Sequence, residues 1–236
     1  MDMLLDAGHL VDFYESALGQ AARRMIIRRL RLLWPDLGGL RVLGYGFAVP
    51  YLKPYLAACE RVVAFMPAQI GVVAWPTGRS LTALGEEHAL PFADALFDRI
   101  LVVHGLEGAD ASRGLLRQLW RVLSPEGRLI LVVPNRASLW AQAEASPFAS
   151  GRPFHRGELD ALLRDTLFEP LQWDRALYLP PFGGRRMART SAGWERLGRR
   201  FVPGIAGVHI VEAGKTLYGI APPRPLKHSE SKLVRA

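Results

Sequence analysis

Four short apolar runs, separated by segments of helical or polar character, constrain this chain more than any other feature. They lie near residues 41–45, 61–66, 99–104 and 128–133. Continuous apolar runs of this length are typical of strands buried on both faces, and strands that alternate with helices pair in parallel through right-handed crossovers. The sequence therefore predicts an α/β fold built on a mostly parallel sheet.

The rest of the chain adds weaker elements to this framework. Apolar residues at helical spacing predict one amphipathic N-terminal helix over residues 10–34. Shorter helices are expected near 52–59, 111–123, 156–166 and 190–200. Residues 70–85 are expected to form a short third strand or a turn with a helix fragment, and further strands are expected at 169–177 and from 207 towards 218. The Gly/Pro-rich segments 137–157 and 180–206 are interpreted as lid-like insertions.

Length and composition favour one domain. The chain has 236 residues, half of them hydrophobic, and residues 1–221 are expected to form a single unit. Residues 222–236 are polar and charged, which predicts a disordered tail. No apolar run approaches the roughly 20 residues that cross a bilayer. We therefore expect no transmembrane segment.

Cysteine usage and charge limit the possible function classes. The single Cys59 excludes an internal disulfide framework and a cysteine zinc cluster, and no histidine spacing indicates a metal site. A cytoplasmic location is expected. Thirty Lys and Arg against 22 Asp and Glu give a net charge of +8. This balance is compatible with a protein or nucleic-acid partner, although an Arg-rich composition without a specific partner explains it equally well.

The first apolar run leads into a glycine-containing turn, Gly44-Tyr45-Gly46-Phe47-Ala48-Val49-Pro50. Glycines at such a turn let a ligand approach the backbone closely and permit left-handed backbone angles. Gly44 and Gly46 meet this need, whereas Ala48 adds a methyl group and Pro50 removes an N–H. Pro54 clashes with a regular helix, so we expect a distorted helix start. The pattern leaves a ligand loop and a plain strand-to-helix turn both open.

The second apolar run ends at Met66, about 20 residues past the glycines. Dinucleotide and nucleoside sites usually carry an acidic residue there, which accepts hydrogen bonds from the ribose hydroxyls. A thioether is only a weak acceptor. Loss of charge-assisted hydrogen bonds of about 1.5–3 kcal/mol predicts binding that is roughly ten- to a hundred-fold weaker.

Three strings in fixed order resemble class I S-adenosylmethionine-dependent methyltransferases, particularly the type 11 group. They are Leu90-Pro91-Phe92 with Phe97-Asp98, then residues 103–107, then residues 119–129. The resemblance covers roughly residues 38–136. It implies a three-layer Rossmann-like fold whose seven-stranded, mostly parallel sheet has an antiparallel last strand, with S-adenosylmethionine at the carboxyl ends of the first strands.

The resemblance also implies which residues contact the cofactor. Gly46, Ala48 and Pro50 stand at the family's three loop glycines, and Gly44 stands at an acidic position. Met66 stands at the ribose acid and Glu86 at the adenine edge. The full set of expected cofactor contacts is Tyr14, Gly44, Tyr45, Gly46, Ala48, Met66, Glu86, Glu87, Leu90, His104, Gly105 and Leu106.

His104 is the candidate catalytic residue, because imidazole titrates near neutral pH and this one ends a predicted buried strand. A structural histidine is the alternative. Glu107 either orients His104 or faces solvent. An aromatic and cationic group at the same end of the sheet is the candidate acceptor site, and a packed connecting loop is its alternative. It comprises Arg136, Trp140, Phe148, Arg152 and Tyr178, with Phe154, Arg185 and Arg186 nearby.

Two functions are the main alternatives, and a nucleotide-binding protein of the broader doubly wound class is a weaker third. One is a methyltransferase that acts on an unidentified acceptor, with a small molecule favoured. The other is a catalytically inactive methyltransferase-like protein that binds a partner, with Arg-rich segments at 23–31 and 185–200 as the contact surface. The altered loop and Met66 favour the second, whereas Glu86 and the region of the fourth and fifth strands favour the first.

Overall fold

A seven-stranded sheet organises the computed structural model, which describes residues 6–143, 146–182 and 191–216. The strands are β1 Arg41–Gly46, β2 Arg61–Pro67, β3 Thr82–Gly85, β4 Phe97–Val103, β5 Leu123–Pro134, β6 Phe168–Ala176 and β7 Val208–Lys215. The α-helices are α1 Ala7–Glu15, α2 Ala17–Leu33, α3 Val49–Leu52, α4 Ser112–Val122, α5 Arg156–Asp165 and α6 Ser191–Phe201. Short 3₁₀ turns span Lys53–Tyr55, Leu139–Ala141, Pro147–Ala149 and Pro203–Ile205.

The strand order is β3-β2-β1-β4-β5-β7-β6. β1 to β5 pair in parallel, and β7 runs antiparallel to both β5 and β6. The predicted mostly parallel sheet with an antiparallel last strand is confirmed. Because the chain proceeds from β1 towards β3 and then returns to place β4 on the other side of β1, the order reverses between β1 and β4. In open α/β sheets, the crevice beyond the carboxyl ends of such strands is where ligands bind.

The single N-terminal helix predicted over 10–34 is wrong, because the structure has two helices there. Ser16 breaks the run with an extended backbone, φ −66° and ψ 159°. Its Oγ accepts a hydrogen bond from the Gly19 N–H at 3.0 Å and donates to the Phe13 carbonyl at 2.6 Å. A side chain at Gly19 would collide with the Phe13 backbone, so glycine permits the tight corner between α1 and α2.

Three other boundaries differ from the prediction. The helix expected at 52–59 is a single turn, α3, followed by a 3₁₀ turn, as the two prolines require. β5 begins at Leu123, five residues earlier than expected. The structure confirms a third strand within 70–85. The predicted tail 222–236, the end of the closing strand beyond 216 and residues 183–190 lie outside the described residues.

Apolar side chains cover both faces of the sheet. On one face α1, α2 and α3 pack on the strands through Leu10, Ile26 and Leu52. On the other face α4 and α5 pack through Leu119 and Leu163. Among the described residues, no helix combines the length and apolar character that crossing a membrane requires.

Candidate active site at the end of strand β4

His104 directly follows β4 at the point where the strand order reverses, and it is fully buried. Its backbone adopts φ +50°, in the left-handed region that non-glycine residues rarely occupy. Such a conformation costs free energy and persists only where the surroundings impose it. Here it turns the imidazole towards α1.

Two tyrosines continue from His104 in a chain of hydrogen bonds. The Tyr14 hydroxyl lies 2.8 Å from His104 Nε2 and 2.8 Å from the Tyr51 hydroxyl. Burial raises the pKa of both phenols well above their ordinary value. Both hydroxyls therefore carry their protons near neutral pH and act as donors.

Glu107 faces the other nitrogen of the same imidazole. Its Oε1 lies 3.3 Å from His104 Nδ1, and its side chain is 1% exposed, so the alternative that Glu107 faces solvent is wrong. Within the described part of the chain, neither carboxylate oxygen has a hydrogen bond of good geometry. We assign the proton of His104 to Nδ1, towards Glu107, because Nε2 is then free to accept from Tyr14.

Aromatic rings surround this polar chain. Phe47 stacks on Tyr14 with centroids 5.9 Å apart, and the Phe148 ring lies 4.7 Å from the imidazole. Trp140 meets Phe148 edge-on at 5.6 Å. Of the predicted acceptor-site residues, Phe148 is therefore brought to His104, and Trp140 packs behind Phe148. Their low-polarity environment strengthens electrostatic interactions inside the site.

Helix α1 covers the crevice at the strand ends. The Ala7 N–H donates to the Ile70 carbonyl at 2.8 Å, which anchors the start of α1 beside the end of β2. At its other end Tyr14 reaches His104, and Phe13 meets Phe148 edge-on with centroids 6.2 Å apart. The crevice that the topology provides is thus occupied by the chain's own side chains in this conformation.

The β1 turn keeps one glycine for close approach. Gly46 has φ +76°, and a Cβ there would fall on the Val103 carbonyl oxygen and on Gly105. The next amide, that of Phe47, donates to the same carbonyl at 2.7 Å. Gly46 is therefore required for the junction of β1 with the end of β4, whether or not a ligand binds.

The acidic position of β1 and the ribose position of β2 are filled by apolar groups. A Cβ at Gly44 would lie 2.5 Å from Leu52 Cδ1 and 2.9 Å from the Ala48 methyl group. Met66 is fully buried, and its Sδ accepts from the Val73 N–H at 3.4 Å. Neither position offers a carboxylate to a ribose.

Other expected cofactor contacts are dispersed. Tyr45 lies on the opposite face of the sheet from Tyr14, stacked on Phe65 at 5.8 Å. Glu86 is exposed at the end of β3. Glu87 is buried, and its Oε1 accepts from the Ala111 N–H at 3.2 Å at the start of α4. Leu90 and Leu106 are buried in the core on the α4 side.

Arg136 and Arg152 do not face His104. Both guanidinium groups contact the carboxylate of Glu158 at the surface, and Arg136 also donates to the Pro153 carbonyl. Tyr178 lies at the end of β6, near α6 rather than His104. In this conformation the two arginines therefore do not converge on His104, and a role for them in binding the acceptor stays a prediction. Arg185 and Arg186 lie outside the described residues.

Sequence reasoning missed the side chains of Tyr51 and Phe47. Both follow the β1 turn within one helical turn, so their sequence positions place them at the same strand ends as His104. Their positions after the β1 turn could have indicated this, but a glycine loop is usually interpreted through its backbone amides rather than its side chains.

Comparisons with known proteins agree with this architecture. The family model described as a methyltransferase domain matches residues 43–131. A demethylmenaquinone methyltransferase of Parafrankia sp. is 31% identical over 140 residues, which are 56% of this chain and 52% of that protein. This chain thus aligns with about half the length of that curated relative.

Two solved structures share the fold. A SAM-dependent methyltransferase from Thermotoga maritima, described as a possible histamine N-methyltransferase, matches with TM-score 0.57 at 19% identity, covering 85% of this chain and 91% of that one. The [4+2]-cyclase SpnF matches with TM-score 0.58 at 21% identity, covering 84% and 83%. At these identities the likeness concerns the fold alone, and the cyclase illustrates that one fold hosts different reactions.

Residues 43–131 match the methyltransferase-domain model, and the chain is similar to S-adenosylmethionine-dependent methyltransferases in sequence over part of its length and in fold. None of these comparisons favours the catalytically inactive alternative.

The residues present fit the adenine end of the family's cofactor, but they lack a strong hydrogen-bond acceptor for its ribose. Gly46 and Gly105 are buried against one another and against Tyr45, so they offer the cofactor no open surface in this conformation. The Glu86 carboxylate is exposed and can accept from an adenine amino group. Met66 provides no acceptor of comparable strength for the ribose.

Proposed function

We propose that the chain is an S-adenosylmethionine-dependent methyltransferase in which His104 accepts the proton of a small acceptor. One observation carries the proposal: the Tyr14 hydroxyl is hydrogen-bonded to His104 Nε2, while the Glu107 carboxylate faces Nδ1 of the same ring. A base oriented by a carboxylate and in contact with a hydroxyl is the arrangement that general-base chemistry requires.

The Tyr14 hydroxyl occupies the position beside His104 Nε2 that we propose for the hydroxyl or amine of an acceptor. When the acceptor replaces it, its proton passes to Nε2, and the buried Glu107 carboxylate stabilises the imidazolium that results. S-adenosylmethionine, when bound, supplies the methyl group from an already activated sulfonium. The chain's own contribution is to position the acceptor, accept the proton and exclude water.

Binding requires α1 to move, because Tyr14 and the rings around it fill the crevice. The corner at Ser16 is the hinge that we propose for this motion, since the backbone there is extended between two helices. The energy needed to displace α1 lowers the apparent affinity, as for any site whose binding-competent state is a minor one.

A small acceptor is favoured over a macromolecule. His104 has no exposed surface, so the acceptor must enter the space that Tyr14 vacates. The reduced quinol form of demethylmenaquinone, the compound after which the Parafrankia relative is named, carries hydroxyls that can give a proton to Nε2, so it is the first acceptor to test. The cytoplasm is the proposed location, supported by the single free cysteine, Cys59.

Calorimetric titration with S-adenosylhomocysteine tests the proposal. We expect the natural protein to bind, and Glu86→Gln to bind about ten-fold more weakly because a hydrogen bond to a charged acceptor is lost. Glu126→Gln is the matched control, since Glu126 is also exposed but lies at the opposite end of the strands. His104→Ala should retain binding and lose methyl transfer from labelled S-adenosylmethionine to the reduced quinol form of demethylmenaquinone or to another acceptor found by screening.

The outcomes separate an active site from an abandoned one. If the natural protein fails to bind while Tyr14→Ala does bind, α1 closes the site permanently and the inactive alternative is correct. If neither protein binds, S-adenosylmethionine is not the cofactor. If His104→Ala transfers methyl groups at the natural rate, His104 is not the base.

A further inference from the structure

Helix α6 presents its apolar side chains outward and its polar side inward. Trp194, Leu197 and Phe201 stand at positions i, i+3 and i+7, so they share one face of the helix. They are 39%, 59% and 68% exposed. Glu195, by contrast, is 5% exposed and Gly198 is buried. A helix at the surface of a globular protein usually has the opposite orientation.

Two contacts fix this orientation. The Glu195 carboxylate accepts from the backbone N–H groups of Leu177 and Tyr178 at 2.8 and 3.1 Å, and burial raises its pKa. At Gly198 a Cβ would collide with Tyr178, so only glycine allows the helix to lie this close. Rolling α6 to bury its apolar face would break both contacts. The exposure is therefore built into the packing.

The apolar face continues into a cavity of about 260 Å³ between α6, the end of β6 and the 3₁₀ turn at residues 139–141. Apart from Tyr178 and Gly198, every lining residue is Leu, Trp, Phe, Val, Ile or Pro. Leu139, Val202 and Ile205 extend the surface around its mouth, and each is nearly half exposed. Six large apolar side chains around one cavity form a patch of the kind that marks an interaction surface.

Positive charge flanks this patch. Arg199 and Arg200 lie in the last turn of α6, and the acidic residue of this helix, Glu195, has its side chain buried on the inward side. Arg200 is exposed beside Phe201, with its guanidinium 6.0 Å from the ring. Arg199 is 39% exposed and keeps a 3.5 Å contact with Asp174. The surface thus combines an apolar face with cationic neighbours.

We propose that the face formed by α6 and residues 202–205 docks on an anionic lipid bilayer. Trp194, Leu197 and Phe201 enter the boundary between headgroups and acyl chains, while Arg200 contacts the phosphates. Short amphipathic helices with Trp, Phe and Leu on one face and arginines on the other bind membranes in this way without crossing them. A lipid surface suits this face because one short helix carries the exposed Trp, Leu and Phe side chains with an arginine at its edge, and the adjoining cavity is lined almost wholly by apolar groups. The inference is independent of the methyl transfer proposed above.

Vesicle flotation tests the proposal, with phosphatidylcholine vesicles that contain phosphatidylglycerol compared with phosphatidylcholine alone. The natural protein should float with the anionic vesicles. Leu197→Glu should weaken binding at least ten-fold, because it removes an inserted side chain and adds a like charge. Arg200→Gln should weaken it about five-fold.

Leu84→Glu is the matched control. Leu84 is 50% exposed on β3, at the edge of the sheet opposite β6, and its replacement makes the same change in charge. It should float like the natural protein. Circular dichroism melting of each variant excludes unfolding as the cause of a loss.

Three results would overturn the proposal. The first is no flotation of the natural protein. The second is equal loss in Leu197→Glu and Leu84→Glu, which would mean that binding reflects only the net positive charge. The third is a natural protein that sediments as a dimer and becomes a monomer in Leu197→Glu, which would make the patch an interface between two copies.

Discussion

The end of β4 and the face of α6 depart from ordinary protein surfaces and interiors in opposite ways. At β4, the polar groups of Tyr14, His104 and Glu107 are buried among aromatic rings. At α6, Leu197 and Phe201 are exposed beside arginines. Burying polar groups costs free energy unless they are paired by hydrogen bonds. An exposed apolar side chain does not contribute the stabilisation that its burial would give.

The difference shows two ways in which a fold gives up stability for a binding surface. At β4 the pairing of Tyr14 with His104 Nε2 offsets part of the cost, whereas His104 Nδ1 and the Glu107 carboxylate lack a well-formed hydrogen bond within the described residues. At α6 the inward contacts of Glu195 maintain an orientation that does nothing to bury Leu197. Substitutions should therefore change the stability of the first region strongly and that of the second hardly at all.

Gly46→Ala tests how rigid the first region is, and it should have the largest effect. The alanine would have φ +76° and its Cβ would fall on the Val103 carbonyl oxygen, so we expect a loss of about 3 kcal/mol or more in the free energy of unfolding. Urea unfolding measures it. Gly114→Ala is the control: its Cβ has a nearest contact of 3.5 Å in α4, and a gain of about 0.5–1 kcal/mol is expected. A loss below 1 kcal/mol at Gly46 would show that the β1–β4 junction adapts.

Glu107→Gln should stabilise the fold while it impairs function. The substitution removes a buried charge whose oxygens have no well-formed hydrogen bond in the described residues, and we expect a gain of about 1 kcal/mol or more in the free energy of unfolding. Glu87→Gln is the matched control. Glu87 is also buried but accepts a hydrogen bond from Ala111, so its replacement should bring a loss of about 1 kcal/mol. A destabilised Glu107→Gln would mean that the carboxylate forms a net favourable pair with His104.

The sheet could be predicted from the sequence because each of its main strands is a continuous run of neighbouring apolar residues. The apolar runs at β2, β4 and β5 reflect burial on both faces, and the turn at Gly127 precedes the central part of β5. The break at Ser16 could not be predicted from periodicity. Apolar residues keep helical spacing on both sides of it, and the break depends on the close approach of Gly19 to Phe13.

The site was predicted only in part for a similar reason. His104 was singled out because it ends an apolar run, but Tyr14 lies 90 residues before it and Tyr51 lies 37 residues after Tyr14. Arg136 and Arg152 were assigned to the acceptor because they follow β5, yet Glu158 in α5 attracts both to the surface. The outward apolar face of α6 was also missed, since spacing shows that a helix has an apolar face and not which way that face points.

Leu197→Glu should have the smallest effect on stability, within about 0.5 kcal/mol of the natural protein. The side chain is 59% exposed, so the carboxylate remains solvated and little packing is lost. Leu84→Glu, at 50% exposure, should behave alike in urea unfolding. The two variants should then differ in vesicle binding alone, which would separate the use of the α6 face from its contribution to folding. A loss above 1 kcal/mol confined to Leu197→Glu would instead mean that this face is covered in the folded protein, and the contrast with the β4 region would fail.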